Sequence, residues 1–572
     1  MKKPIFILLL VCMLLASGCS QKNGTDNQGQ PSTEGKAKSD TSIDISDLFS
    51  SRDFEVEYDE SKSHLIELHG ETATSDSDAV KISGSTVTIT DEGTYILSGT
   101  LKDGEIVVDT GKKDKVQLVL NNVSIHSRSS APIYIRKSDK VFITLAEDSV
   151  NTLSNGGIFS ANDENNIDAV IFPKEDLTLN GSGILTITSP AGHCIVSKDE
   201  LTLTGGTYRI DSAFHGLSGN DNVCIANGEI NITSGKDGIH AENDDDPSLG
   251  FVYIRSGTFN IASNGDGIAS SAWMQIDGGT FYIVSGGGSA KTEKMSSGTK
   301  GTDTKDNSAS TKGIKAVGNL TIIKGDFTID AADDAFHSNA SMNISGGTFQ
   351  IVTGNDGFHA DENLTVSSGT INIAKCYEGL EGLRVEILGG DIAMYASDDG
   401  INAAGGNDQS GFGGGHNDRF AGGRGGKSSS KGSIVISGGK LYINAAGDGM
   451  DANGTLTISG GYTVVCGPTV GDTATLDYDD SGTIKGGTFI GTGASRMAKS
   501  FSDSEQGVIL VKVDNQPAGT AIALIDADGN TIIPAYVPEL DFEVVILSSP
   551  DIKKGETYRI TIGSTTFEVT AS

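Results

Sequence analysis

An all-β solenoid, a right-handed parallel β-helix with about 22 residues per coil, is the fold this sequence predicts, and three observations predict it. First, a glycine-ending marker followed by a short strand recurs along the chain: GGTYRI at Gly205, NGEINI at Asn227, SGTFNI at Ser256, GGTFYI at Gly278, KGDFTI at Lys324, GGTFQI at Gly346, SGTINI at Ser368, GGDIAM at Gly389, GGKLYI at Gly438 and GGTFI at Gly486. Second, the second glycines of neighbouring markers fall mostly 22 residues apart, as at 206 and 228, 257 and 279, and 325 and 347. Third, 76 of the 572 residues are glycine against 11 prolines and one tryptophan, a turn-rich β composition rather than helices packed on a sheet.

Each unit holds three short alternating runs, for example MNISGG at Met342, TFQIVT at Thr348 and GFHA at Gly357. Strands this short cannot bury a face alone, so every coil must stack on its neighbours. The leucine-asparagine pattern of leucine-rich repeats, the longer period of propellers and the nine-residue period of calcium-binding rolls do not fit. Parallel crossovers favour the right hand. From Ser83 to Leu203 the period is less regular, but STVTIT at Ser85, TYILSG at Thr94, VQLVLNN at Val116, KVFITL at Lys140 and DLTLNG at Asp176 read as early coils. The helix is therefore expected over 83–493, with glycine-rich loops inserted at 286–311 and 405–431. The second loop, which includes GFGGGHNDRF, lacks the strand-loop-helix context of a phosphate cradle. After Gly493 the rhythm stops. Clean alternation from Val508 to Thr570, with turns at Asp528-Gly529 and Lys554-Gly555, predicts a small C-terminal antiparallel β unit over 494–572.

The N-terminus reads as a signal segment over 1–19: Lys2 and Lys3, an apolar run from Ile5 to Ala16, then Ala16-Ser17-Gly18-Cys19. Small residues before a cysteine resemble a bacterial lipobox, in which Cys19 is acylated. Residues 20–45 are polar and read as a solvated tether, and 46–82 as an N-terminal cap segment. The body is thus expected outside the cytoplasm, lipid-anchored to the bacterial cell membrane through Cys19. Cys194, Cys224, Cys376 and Cys466 are well separated and set among apolar strand residues, which suits core thiols rather than zinc or redox sites. With 75 acidic and 42 basic side chains the net charge is -33, which disfavours nucleic acid and anionic lipid surfaces as direct partners but not cations. A monomer is expected.

A second motif keeps step with the first: HCIVS from His193 and HGLSG from His215, then DGIHA from Asp237, DGIAS from Asp266, KGIKA from Lys312, DAFHS from Asp334, DGFHA from Asp356, EGLEG from Glu378, DGINA from Asp399 and DGMDA from Asp448. By strand alternation its third residue points into the core and its fourth outward. Position one then forms a column, and position four a neighbouring one: His240, Ala269, Lys315, His337, His359, Glu381, Asn402 and Asp451. Stacked carboxylates ~5 Å apart repel by roughly 3 kcal/mol per pair at an effective dielectric of ~20, so a counter-ion is needed. Calcium, which takes 6–8 oxygens, fits between carboxylates of adjacent coils. Asp333, Asp334, Asp356, Glu378, Asp398, Asp399, Asp448 and Asp451 are the expected metal ligands. His240, Lys315, His337, His359, Glu381 and Asn402 are the expected ligand-facing residues, with the histidines as a surface stack rather than a zinc site. Trp273, Tyr282, Phe412, Phe420, Tyr442 and Tyr462 are candidate aromatic platforms for sugar, against core packing or loop anchoring.

Several longer runs carry a resemblance. SGSTVTITDEGTYILSGTLKDGEIVVDT from Ser83 with KVQLVLNNVSI from Lys115, SRDFEVEYDES from Ser51, KDNSASTKGIKA ahead of Ala316, YEGLEG from Tyr377, DDGINAAGGND from Asp398 and TLDYDDSG from Thr475 resemble the secreted β-helical proteins labelled carbohydrate-binding domain-containing, over roughly Ser46 to Ser572. The resemblance implies a right-handed parallel β-helix with bound calcium. It also implies binding of plant cell-wall polysaccharide, acidic pectin-like or cellulosic, with a lyase-like fold. The expected function is therefore calcium-dependent polysaccharide binding. The alternatives are a calcium-dependent polysaccharide lyase and an envelope scaffold or adhesin with structural calcium. For the lyase, Asp398 to Asn402 is similar to a DDGxD calcium motif with Asn402 replacing its last acid, and no lysine is clearly placed as a base.

Overall fold

The computed structural model describes residues 45–160, 165–291, 310–403, 431–469 and 471–572. The chain divides into two compact units, 1–47 and 48–572, and all that follows concerns the second. The signal segment, Cys19 and nearly all of the tether lie outside the described residues, as do most of both glycine-rich loops with Phe412 and Phe420.

Among the described residues the unit is all-β, with only two short 3-10 turns, and 47 of its strands form one continuous hydrogen-bonded system dominated by parallel pairs. Three strands make a coil, as in Phe336–Ser338, Met342–Ile344 and Thr348–Thr353. Each pairs with its equivalent in the next coil: Phe336 with Phe358, Met342 with Leu364, Thr348 with Thr370. Three parallel sheets result. The first carries the Asp-Gly motif, the second follows it, and the third holds the six-residue runs such as Thr348–Thr353. The stacked ladder begins ahead of residue 83, since His64–Gly70 pairs in parallel with Tyr95–Leu101. At the far end, Thr488–Gly493 pairs antiparallel with Phe542–Ser548, which pairs antiparallel with Val508–Gln516. A separate antiparallel sheet holds Ile522–Ile525, Thr531–Tyr536, Thr557–Ile562 and Thr565–Thr570.

Alternation accounts for the core. In Thr348–Thr353 the inward residues Phe349 and Ile351 are buried and their neighbours are not. Identical residues stack in register, so Phe259, Phe281, Phe327 and Phe349 form a column of parallel rings at 4.6, 4.7 and 4.9 Å, offset stacks that add to their area burial. The marker glycine has a backbone reason. Gly347 has φ +115°, and a Cβ there would come within 2.8 Å of the carbonyl oxygen of Gly325 in the preceding coil. Only glycine fits a left-handed turn at that approach.

Candidate metal centre

The position-one residues do form a column: Phe336, Phe358, Leu380, Ile401 and Met450 pair successively, which places Asp334, Asp356, Glu378, Asp399 and Asp448 on one edge of the first sheet. Their first task is to serve the backbone. In most coils the position-one amide donates to the position-one side chain of the coil before it: Asp237 to His215 Nδ1 (3.2 Å), Asp266 to Asp237 Oδ1 (2.8 Å), Asp356 to Asp334 Oδ1 (3.1 Å) and Glu378 to Asp356 Oδ1 (3.1 Å). Asp448 and Ala474 repeat the bond on Asp399 and Asp448. A turn that leaves an amide without a ladder partner must supply an acceptor when it is buried. The glycine that follows is needed for space: a Cβ on Gly400 would stand 2.2 Å from Ile443 Cγ2 and 2.6 Å from the Gly449 carbonyl oxygen.

One expectation needs correction. Position four does not face solvent: His240, Lys315, His337, His359, Glu381 and Asn402 are all buried. Alternation turns these side chains out of the apolar core, but they fold over the position-one carboxylates three residues earlier, and the two columns cover each other. His240 Nδ1 donates to Asp237 Oδ2 at 2.8 Å and its Nε2 lies 3.1 Å from Glu242 Oε2. His337 Nδ1 donates to Asp334 Oδ2 at 2.8 Å. His359 Nδ1 is 2.7 Å from Glu381 Oε2, with Nε2 3.2 Å from Asp361 Oδ1. The rings stack, His215 on His240 at 4.1 Å and His337 on His359 at 4.7 Å.

The early part of the column thus carries its own cations. Lys312 occupies position one of its coil and places Nζ 2.8 Å from Asp333 Oδ2 and 2.9 Å from Asp334 Oδ2, so at the doubled acid a side-chain ammonium stands where a metal ion was expected. Burial opposes charge on His359, but Glu381, Asp356 and Asp361 together hold its pKa well above the usual imidazole value. Burial opposes charge on His240 too, and the bonds to Asp237 and Glu242 outweigh it, raising the pKa to about 9. A folded-state pKa above the unfolded value stabilises fully below the unfolded pKa of ~6.5 and is lost as pH rises through about 9. His240→Gln is therefore expected to flatten the fall in urea midpoint between pH 6.5 and 9.5 by an amount worth about 3 kcal/mol. An unchanged pH profile would refute the pairing.

Beyond Glu378 the balance reverses. Asp399, Asp448 and Asp451 each offer an oxygen, all within 4.8 Å of one another, and among the described residues no nitrogen ligand joins them. Burial is the main cause of their raised pKa values. Asp399 reaches about 8 with Asp398 and Asp448 adding, Asp448 about 7 with Asp451 and Asp477 adding, and Asp451 about 6 with Asp477 and Asp479 adding. Asn402 pairs in register with Asp451 in the next coil. Its amide donates to Glu378 Oε2 at 2.9 Å, while its Oδ1 is buried without a hydrogen-bond partner among the described residues. Three carboxylates form a donor set that suits a hard cation such as calcium better than zinc or copper.

The family model for carbohydrate-binding domain-containing proteins matches residues 83–357 and 355–504. The chain belongs to this family. A protein of that name from Acetivibrio thermocellus is 37% identical over 135 residues, 23% of this chain and 47% of the relative, so the match spans about half of that protein's length. A solved structure described as a polysaccharide lyase-like protein from C. thermocellum, a gadolinium derivative, is 32% identical with a TM-score of 0.40, covering 46% of this chain and 96% of that one.

Within the two matched segments, 83–357 and 355–504, the residues expected from sequence sort into distinct groups. Asp399, Asp448 and Asp451 come together; Asp334 groups with His337 and His359, and Asp356 with His359 and Glu381. Asp333, Asp398 and Glu378 join none of these clusters, Glu378 instead accepting from the Asn402 amide. The sequence reading missed Lys312 as an internal cation, although its place in KGIKA, where the other coils carry an acid, was the signal. It also missed Asp477, in register with Asp451. Of the described aromatic candidates, Trp273 stacks on Phe251 at 4.3 Å and Tyr442 packs against the cluster around Val464 and Ile490, while Tyr282 and Tyr462 are exposed. The four cysteines are buried and unpaired.

Proposed function

We propose that this carbohydrate-binding family member is a lipid-anchored, extracytoplasmic protein that binds acidic polysaccharide through calcium. In this reading its coils of about 22 residues wind right-handedly and a small antiparallel unit closes the last one. One observation carries the proposal: Asp399, Asp448 and Asp451 converge in a half-buried set that holds no nitrogen ligand among the described residues, and Asn402, in register with Asp451, has an unpartnered amide oxygen. A protein of net charge -33 and a polyuronate repel each other unless a divalent ion bridges their carboxylates. Calcium seated here would keep coordination positions for uronate oxygens, because one oxygen from each of three carboxylates falls short of its usual 6–8 ligands.

Binding without bond cleavage is the reading favoured over a lyase. A lyase needs a basic group beside the ion to take the C5 proton, and Lys312 and Lys315, the lysines of the column, are buried, Lys312 being paired with acids. Polygalacturonate beads should retain the soluble body in millimolar calcium and release it in chelator, and Asp399→Asn with Asp451→Asn should weaken retention at least tenfold, with no absorbance from unsaturated product. Retention unaffected by chelator would exclude the calcium bridge, and unsaturated product would restore the lyase.

A further inference from the structure

The early coils of the first sheet gather cationic and N–H groups that the metal site leaves unused. His193, His215 and His240 stand in three successive coils with their rings stacked at 5.1 and 4.1 Å. Phe214 leans on His193 at 5.4 Å, and the Lys236 ammonium lies 5.0 Å from the centre of the Phe214 ring. Lys198 places its ammonium 5.5 Å from the centre of Phe172. Lys198 follows the strand His193–Ser197 and Lys236 precedes the strand Ile239–Ala241, so the two side chains start from opposite ends of the sheet's strands. Both are exposed, and among the described residues neither is ion-paired.

Hydrogen bonds fix the proton on two of the imidazoles. The His215 amide donates to His193 Nδ1 at 3.3 Å, and the Asp237 amide donates to His215 Nδ1 at 3.2 Å. A neutral imidazole whose Nδ1 accepts carries its proton on Nε2. Asp237 Oδ2 also lies 3.3 Å from His215 Nδ1, but it already takes the shorter bond from His240 Nδ1 at 2.8 Å. This tautomer spends both Nδ1 lone pairs on the backbone, which withdraws them from any metal ion. Among the described residues neither Nε2 has a hydrogen-bond partner, although His215 is only 9% exposed. Burial keeps both rings neutral, pushing His193 down to about 3 and His215 below the usual imidazole value. At His193 the side chains that add to burial are His215, Lys236, His240 and Lys198, so the local field is positive. Asp168 is the acid on the flank, beside Lys198, and burial raises its pKa.

We infer that His193 Nε2, His215 Nε2, Lys198 and Lys236 bind a single tetrahedral oxyanion, a phosphate or sulfate group. Unspent N–H donors beside ammoniums are what such a group accepts from, and charge makes those bonds strong. Donors drawn from several coils suit oxygens arranged in a tetrahedron better than the two coplanar oxygens of a carboxylate. The net charge of -33 holds polyanions off at long range, whereas one small anion responds to the local field. None of these residues belongs to the cluster of Asp399, Asp448 and Asp451, so the inference stands apart from the calcium reading.

The test is isothermal titration of the protein with inorganic phosphate and with sulfate near neutral pH, in chelator, with chloride holding the ionic strength constant. One saturable site is expected. The double variant Lys198→Gln with Lys236→Gln should weaken it by about tenfold or more, since at least one charge-assisted bond is lost. Lys112→Gln with Lys113→Gln removes the same charge from an exposed turn and should leave binding unchanged. In protein labelled with nitrogen-15 histidine, the Nε2 signals of His193 and His215 should move with the midpoint of the titration. A hexose phosphate separates two sources of the group: tighter binding than inorganic phosphate places it on a sugar ester, and equal or weaker binding leaves it a free ion. The inference is overturned if no saturable binding is seen, if the two double variants weaken it alike, if the Nε2 signals stay still, or if acetate binds as tightly as sulfate.

Discussion

Lys312→Met is expected to cost about 3–5 kcal/mol of unfolding free energy, read as a drop in urea midpoint without a change in slope. The side chain is 1% exposed, and its ammonium is shared by Asp333 and Asp334 at 2.8 and 2.9 Å. Methionine keeps most of the volume, so the cost measured is electrostatic rather than a cavity. Removing the cation leaves two buried carboxylates, with Asp334 still held by His337 Nδ1 at 2.8 Å, Asn355 Nδ2 at 2.7 Å and the Asp356 amide at 3.1 Å but by no lysine. The controlling experiment is the double substitution Lys312→Met with Asp333→Asn, which removes one of the two stranded charges and should recover at least half of the loss. A single-variant cost under 1 kcal/mol, or no recovery in the double variant, would show that Lys312 does not neutralise the column.

The second large effect lies at the other end. Calcium at a hundredfold excess over its dissociation constant should raise the stability of the wild type by about 2.7 kcal/mol, by mass action on the folded state. Asp451→Asn should cross over. In chelator it melts above the wild type, because Asp451 no longer repels Asp477 and Asp479 and burial no longer penalises its charge. In calcium it melts below the wild type, because a ligand is gone. At ~5 Å and an effective dielectric of ~20, one carboxylate pair is worth roughly 3 kcal/mol when both are ionised, so a shift of several degrees either way is expected. If the variant melts below the wild type in both buffers by the same amount, Asp451 is structural and the cation site is not there.

The stacking of coils was legible because it rests on local rules repeated many times. A glycine every 22 residues marks a left-handed turn, three short apolar runs per unit cannot be buried except by stacking, and stacking turns a sequence interval into a spatial column. The DGINA and DGMDA motifs put Asp399, Asp448 and Asp451 on one acidic edge, and the direct pairing of Ile401 with Met450 put them in adjacent coils. The same reading of motifs failed for His240, His337 and His359. Alternation says which side of a strand a residue leaves from, and nothing about what folds over it afterwards.

Read alone, then, the sequence determined the all-β coil, the inward residues of each strand and the existence of one acidic edge. Tertiary structure decided how that edge is handled: Lys312 and the buried imidazoles neutralise it in the earlier coils, whereas in the later ones Asp399, Asp448 and Asp451 are held together with pKa values raised chiefly by burial. The physical reason is that periodicity fixes backbone positions, whereas the charge state of a buried carboxylate depends on side chains of the adjacent coils within a few ångströms, whose reach and burial no single repeat contains.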